Sequence, residues 1–80
     1  MTYQHIRDVV QKYDNILYPV TATVKDGTEL QHVRWMCNEI PEMMKTEEVG
    51  KIYRWLGFIQ GVLWVHGIYT IEQLCEHNKR

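Results

Sequence analysis

Eighty residues allow one domain, spanning 1–80, and a chain this short buries only about 60% of the surface its unfolded form exposes, so its core needs dense packing, a metal, disulfides or a partner. A net charge of -1 provides no basic field for phosphate backbones, which disfavours non-specific nucleic-acid binding, and two cysteines are too few for a disulfide framework. Three tryptophans, five tyrosines and one phenylalanine point instead to an aromatic core.

In chain order, Ile6, Val9, Val10, Tyr13 and Leu17 recur at the spacing of one helical face, and the pattern predicts a first helix over Tyr3 to Leu17. Pro19 disfavours helical geometry at Tyr18 and ends it. Val20, Ala22 and Val24 then alternate with Thr21, Thr23 and Lys25, the signature of one short strand. Asp26-Gly27 supplies a turn, so a hairpin or an extended loop also fits this segment. Thr28 with Gln31 forms a capping box that starts a second helix near Glu29, carried on by Leu30, Val33, Cys37, Ile40 and Met44. Pro41 marks a kink, or the first turn of a separate short helix holding Met43 and Met44.

Thr46 is the expected cap of a third helix running to about His66, with Glu47 and Glu48 in its first turn, where the helix dipole favours negative charge. Gly67 reads as a left-handed terminator with Ile68 packing back, and Thr70 with Gln73 caps a short last helix that turns Ile71, Leu74 and Cys75 inward. His77 to Arg80 should fray. The uncharged run from Trp55 to Ile71 is too short for a membrane span, which needs about 20 apolar residues, and Gln60, His66 and three glycines interrupt it. The expected class is therefore mainly α: three or four helices, one possible short strand and self-association.

The residues that bear on function lie mostly on the third helix. Gly50, Arg54, Gly57 and Gly61 share a face, and each interior glycine costs up to about 1 kcal/mol relative to alanine, so close approach of another element is the expected return. That element is either another helix of the same chain or a second copy, whose seam would use Gly50, Gly57 and Gly61, the segment Val20, Ala22 and Val24, or both. Arg54, with Trp55, Trp35 and His32, forms the candidate binding set, because a guanidinium and aromatic rings suit an anionic or planar group.

His32 and Cys37, or Cys75 and His77, lack zinc-like spacing, and no phosphate loop, metalloprotease helix or serine-nucleophile motif occurs, so neither metal, cofactor nor catalytic residue is assigned. Cys37 and Cys75 read as reduced, buried thiols, and with no secretory signal ahead of them the expected setting is cytoplasmic.

His32-Val33-Arg34-Trp35-Met36, Ile40-Pro41, Arg54 to Trp64 with its RWLGFIQG run, Gly67, Thr70-Ile71 and His77-Asn78 together resemble a group of short proteins encoded by tailed bacteriophages. The resemblance covers about three fifths of the chain and leaves the residues before Leu30 unmatched. It implies a context, an accessory protein made inside an infected bacterium, and brings no site residues. The expected function is non-enzymatic: binding and interfering with a bacterial host protein, plausible targets being defence components of the kind met by anti-CRISPR or anti-restriction inhibitors. The alternative is an oligomeric module that sequesters a nucleotide-like signal between Arg54, Trp55 and nearby tyrosines.

Overall fold

The structure is a computed structural model that describes residues 1–79. Four helices follow one another: α1 (Tyr3–Leu17), α2 (Glu29–Met43), α3 (Val49–Val65) and α4 (Ile71–His77). No strand occurs among the described residues, and the mainly α class stands.

Local chemistry accounts for most of the boundaries. Thr2 Oγ1 accepts from the His5 N–H at the start of α1, and Thr28 with Gln31 and Thr70 with Gln73 form complete capping boxes on α2 and α4. At the end of α3, Gly67 takes φ 72°, the Ile68 N–H reaches back to the Leu63 carbonyl at 2.9 Å and the Gly67 N–H to that of Trp64 at 2.9 Å. These paired bonds close the helix as a left-handed glycine cap does, and they fold Ile68 back toward the core.

Two boundaries depart from the sequence expectation. α3 is capped at Glu48 rather than Thr46, without a side-chain bond, because backbone bonds from Thr46 and Glu47 to the Met43 carbonyl extend the turn that leaves α2. Glu47 therefore precedes the helix and instead pairs with Lys51 at 3.3 Å. Pro41 neither kinks α2 into a second piece nor opens a new helix. It sits two residues from the end of α2 and costs the helix one hydrogen bond, to the Cys37 carbonyl, while Met43 remains in the core.

The core takes one face from each of the three long helices: Ile6, Val10, Tyr13 and Leu17 of α1, Val33 and Ile40 of α2, and Ile52, Ile59 and Leu63 of α3 are all essentially inaccessible. α2 lies between the other two, packed on α1 and on α3. Tyr69 and Leu74 close the end of this core from α4 and its approach, whereas Ile71 and Cys75, expected inside, are exposed. Seven residues present little more than one inward position, and Leu74 occupies it.

The segment from Tyr18 to Thr28 is held without a strand. Val20 and Thr21 bond back to the Leu17 carbonyl, Arg34 donates to the Thr21 carbonyl at 2.5 Å, and the Arg34 guanidinium stacks over the Tyr18 ring at 4.8 Å. Arg34 also pairs with Asp14 at 2.9 Å, where Asn38 donates to the same oxygen at 2.8 Å. The alternating apolar residues are left outside, Val20 at 79% exposure and Val24 at 41%. The strand is thus corrected to an irregular link, with the Thr21 carbonyl taken by a long-range arginine contact.

Gln60 is the one polar residue buried among those described, and its amide is fully used. It donates to Tyr13 Oη at 3.0 Å and to Asn78 Oδ1 at 2.8 Å while accepting from Asn78 Nδ2 at 3.1 Å. Tyr13 in turn donates to His77 Nδ1 at 2.7 Å, and His5 Nε2 donates to the His77 carbonyl at 2.6 Å. His77 and Asn78, expected to fray, are in fact the residues that fasten α4 to α1 and α3. Arg80 lies outside the described residues. Burial pushes the Tyr13 phenol up to about 12, which keeps its proton in place for the bond to His77.

Two stability outcomes follow. Gln60→Leu should cost about 1–3 kcal/mol in urea unfolding, because it strands the Asn78 amide against an apolar wall. Tyr69→Phe should be neutral or stabilising, since the buried Tyr69 hydroxyl has no hydrogen-bond partner.

His77 adds a pH dependence. Burial and the neighbouring Lys12 hold its imidazole below the usual histidine value of 6.5. The folded state therefore binds its proton less readily than the unfolded chain does. The resulting stability is present above that value and is lost as pH falls through the unfolded and then the folded pKa. Urea midpoints should drop between pH 7.5 and pH 5, and the drop should shrink in His77→Asn.

Candidate interaction surface

α3 carries apolar residues around its whole circumference, and the core uses only one side. Ile52, Leu56, Ile59 and Leu63 point inward, while steps of three and four residues place Gly50, Tyr53, Arg54, Gly57, Phe58, Gly61, Trp64 and Val65 on the opposite side. Exposure follows this division. Tyr53 is 40% exposed, Phe58 54%, Trp64 50% and Val65 73%. Isolated exposed apolar residues are ordinary, but a contiguous row along one helix face marks an interaction site.

Within this row the glycines are open. A Cβ added at Gly57 or Gly61 would meet nothing within 4 Å, so the bare backbone does not serve contact with α1 or α2. Of the two elements expected to approach this face, the structure removes the intrachain one. At Gly50 a Cβ would lie 3.6 Å from Arg54 Nη1, which shows the guanidinium lying back along the helix toward its N-terminus. Arg54 forms no ion pair among the described residues.

The other three predicted binding residues come together along the α2 edge of this face. The His32 and Trp35 rings lie 5.5 Å apart, Trp35 and Trp55 5.7 Å apart, and Phe58 meets His32 edge-on at 6.4 Å. Lys25 stands 5.4 Å above the Trp35 ring, and His32 Nδ1 donates to the Lys25 carbonyl, so the ladder is braced from the link before α2. Trp35 and Trp55 are half-buried and pack against the core. The ladder is thus partly structural, and Arg54 lies on its own patch rather than beside the rings.

Two shallow hollows flank Phe58. One, of about 360 Å³, lies among Lys25, Asp26, Glu29, His32 and Val62. The other, of about 340 Å³, lies between Glu29, Gly61, Trp64, Val65 and His66. Asp26 and Glu29 line the first together with Lys25 and His32, a mixed-charge wall that disfavours the phosphates of a nucleotide-like ligand. Glu29 is 73% exposed and holds His66 Nε2 at 2.9 Å. No group of three or more His, Cys, Asp or Glu side chains capable of holding a metal occurs among the described residues. Among the described residues, no helix is long and apolar enough to cross a membrane.

The thiols differ from expectation in one respect. Both are free, but only Cys37 is buried, and burial pushes it up to about 12, far from a reactive thiolate. Cys75 is exposed on α4.

Phe58, Trp64, Val65, Tyr53 and Glu29 belong to the surface and were absent from the sequence-derived set. The signal for the four on α3 was the same spacing that grouped Gly57 with Gly61, but only knowledge of which side faces the core gives it meaning, and Glu29, on α2, had none. No protein-family model matches this chain, and neither a curated protein nor a solved structure gives a significant match, so the surface stands on its own residues.

Ellman's reagent should titrate one thiol per native chain and two after denaturation. Quantitative loss of both without reductant would indicate an intrachain bridge instead.

Proposed function

We propose that this chain is a non-enzymatic protein-binding module whose working surface is the outer face of α3. The observation that carries the reading is the continuous row of exposed Tyr53, Phe58, Trp64 and Val65 around the uncovered backbone of Gly57 and Gly61. Tryptophan, phenylalanine and arginine anchors are the side chains that dominate binding energy at protein interfaces, and glycines let a partner's backbone or ring approach closely. Taken with the resemblance to short tailed-phage proteins, the reading is of an accessory protein in the cytoplasm of an infected bacterium. There it associates with itself and with a host protein, a defence component being the kind of target that a small inhibitor of this type meets.

Trp64→Glu places a charge at the C-terminal end of the row without touching the core, so it should leave the helical circular dichroism intact while removing binding. Tagged wild-type chain should retain one host protein from bacterial extract at fixed stoichiometry. The purified pair should re-form with micromolar or tighter affinity, and Trp64→Glu should weaken it at least about tenfold, the equivalent of 1.4 kcal/mol. Equal binding by wild type and Trp64→Glu would overturn the proposal, and the absence of a stoichiometric partner would remove the host protein from it. Thermal shifts against a nucleotide panel should show no stabilisation.

A further inference from the structure

We infer that the outer face of α3 is closed by a second copy of this chain, antiparallel about a twofold axis beside Gly57 and Gly61, with Arg54 of each copy meeting Glu29 of the other. The inference rests on the reading of this face as a protein-binding surface and names its occupant. It is charge complementarity, and not the glycines alone, that selects a second copy.

The register follows from the glycines. When two antiparallel helices cross so that Gly57 of each lies against Gly61 of the other, Arg54 lies opposite Trp64. Trp64 and Val65 share a hollow with Glu29. Arg54 has no ion-pair partner among the described residues, and the Glu29 carboxylate is 73% exposed, paired with His66 and near Lys25 and His32. Each copy thus supplies an unused cation at one end of the face and an exposed carboxylate at the other.

The flanks agree as well. At 100° per residue, Arg54, Phe58 and Val65 lean toward one edge of the face. That edge is the α2 side, because Phe58 meets His32 there. Glu29 opens α2 on the same edge. A twofold axis perpendicular to an antiparallel pair of helices keeps corresponding flanks together, so the α2 edge of one copy runs beside the α2 edge of the other. Arg54 and the partner copy's Glu29 then fall on one side of the seam, twice over. A parallel pair would instead set Arg54 against Arg54.

Light scattering on the full chain at high micromolar concentration should give twice the 9.6 kDa of one chain. Gly57→Leu meets open space within the monomer, so it should remain helical yet run as a monomer. Arg54→Glu and Glu29→Arg should each weaken the dimer about tenfold or more by setting like charges together, and the double swap should restore most of the loss.

A strictly monomeric wild type overturns the inference. If that monomer still captures a host protein through Trp64, the reading of the face as protein-binding survives. A dimer indifferent to Gly57→Leu, or charge reversals that are not rescued in combination, overturns the seam or its register. A dimer with rescue that captures no host protein supports the inference and removes the host partner.

Discussion

A chain of eighty residues has room for one core, and α3 has apolar residues for two. This constraint governs the molecule. α1 and α2 are amphipathic in the ordinary sense: they turn Ile6, Val10 and Tyr13, or Val33 and Ile40, to the core and polar residues to water. α3 satisfies the core with Ile52, Leu56, Ile59 and Leu63 and still carries Phe58, Trp64 and Val65 on its far side. A helix that is apolar all round is stable in water only when both sides are covered, and the three other helices of this chain lie on one.

Two polar clusters hold the helices in the arrangement that leaves the far side bare. Gln60, Tyr13, His77 and Asn78 fasten the short α4 across the end of the bundle, so it closes the core rather than folding over α3. Arg34, gripping Asp14, the Thr21 carbonyl and the Tyr18 ring, draws the link after α1 against α2. Both segments that might have shielded α3 are thereby committed elsewhere. The His32, Trp35 and Trp55 ladder stiffens the remaining edge and brings Phe58 to the border of the exposed row.

What the sequence disclosed was whatever neighbouring residues decide among themselves. The limits of α1, the two capping boxes and the Gly67 terminator need contacts over only a few positions, and they were legible. Val20 to Lys25 was not, because alternation makes a strand only where a partner strand exists, and Arg34, more than ten residues away, takes the Thr21 carbonyl first. His77 and Asn78 looked like a polar tail for the same reason: their partners Tyr13 and Gln60 are far away in the chain. Glu48 displaced Thr46 as the start of α3 because the turn after α2 runs on through Glu47.

The candidate surface was half legible. Gly50, Gly57 and Gly61 on one face announced a close approach, yet whether that approach lay inside or outside the chain depended on where Ile52, Ile59 and Leu63 found the core. Trp35, Trp55 and His32 do gather, but as a brace more than as a mouth, and Arg54 stands apart from them.

The central claim, that the far side of α3 is an occupied association surface, is tested most directly on the glycine amides, which fall in a separate region of the proton–nitrogen correlation spectrum. On dilution from millimolar to low micromolar concentration, the signals of Gly57 and Gly61 should shift or broaden more than those of Gly27 and Gly67, which lie at the ends of the seam. Concentration-independent Gly57 and Gly61, or movement confined to Gly27 and Gly67, would contradict it.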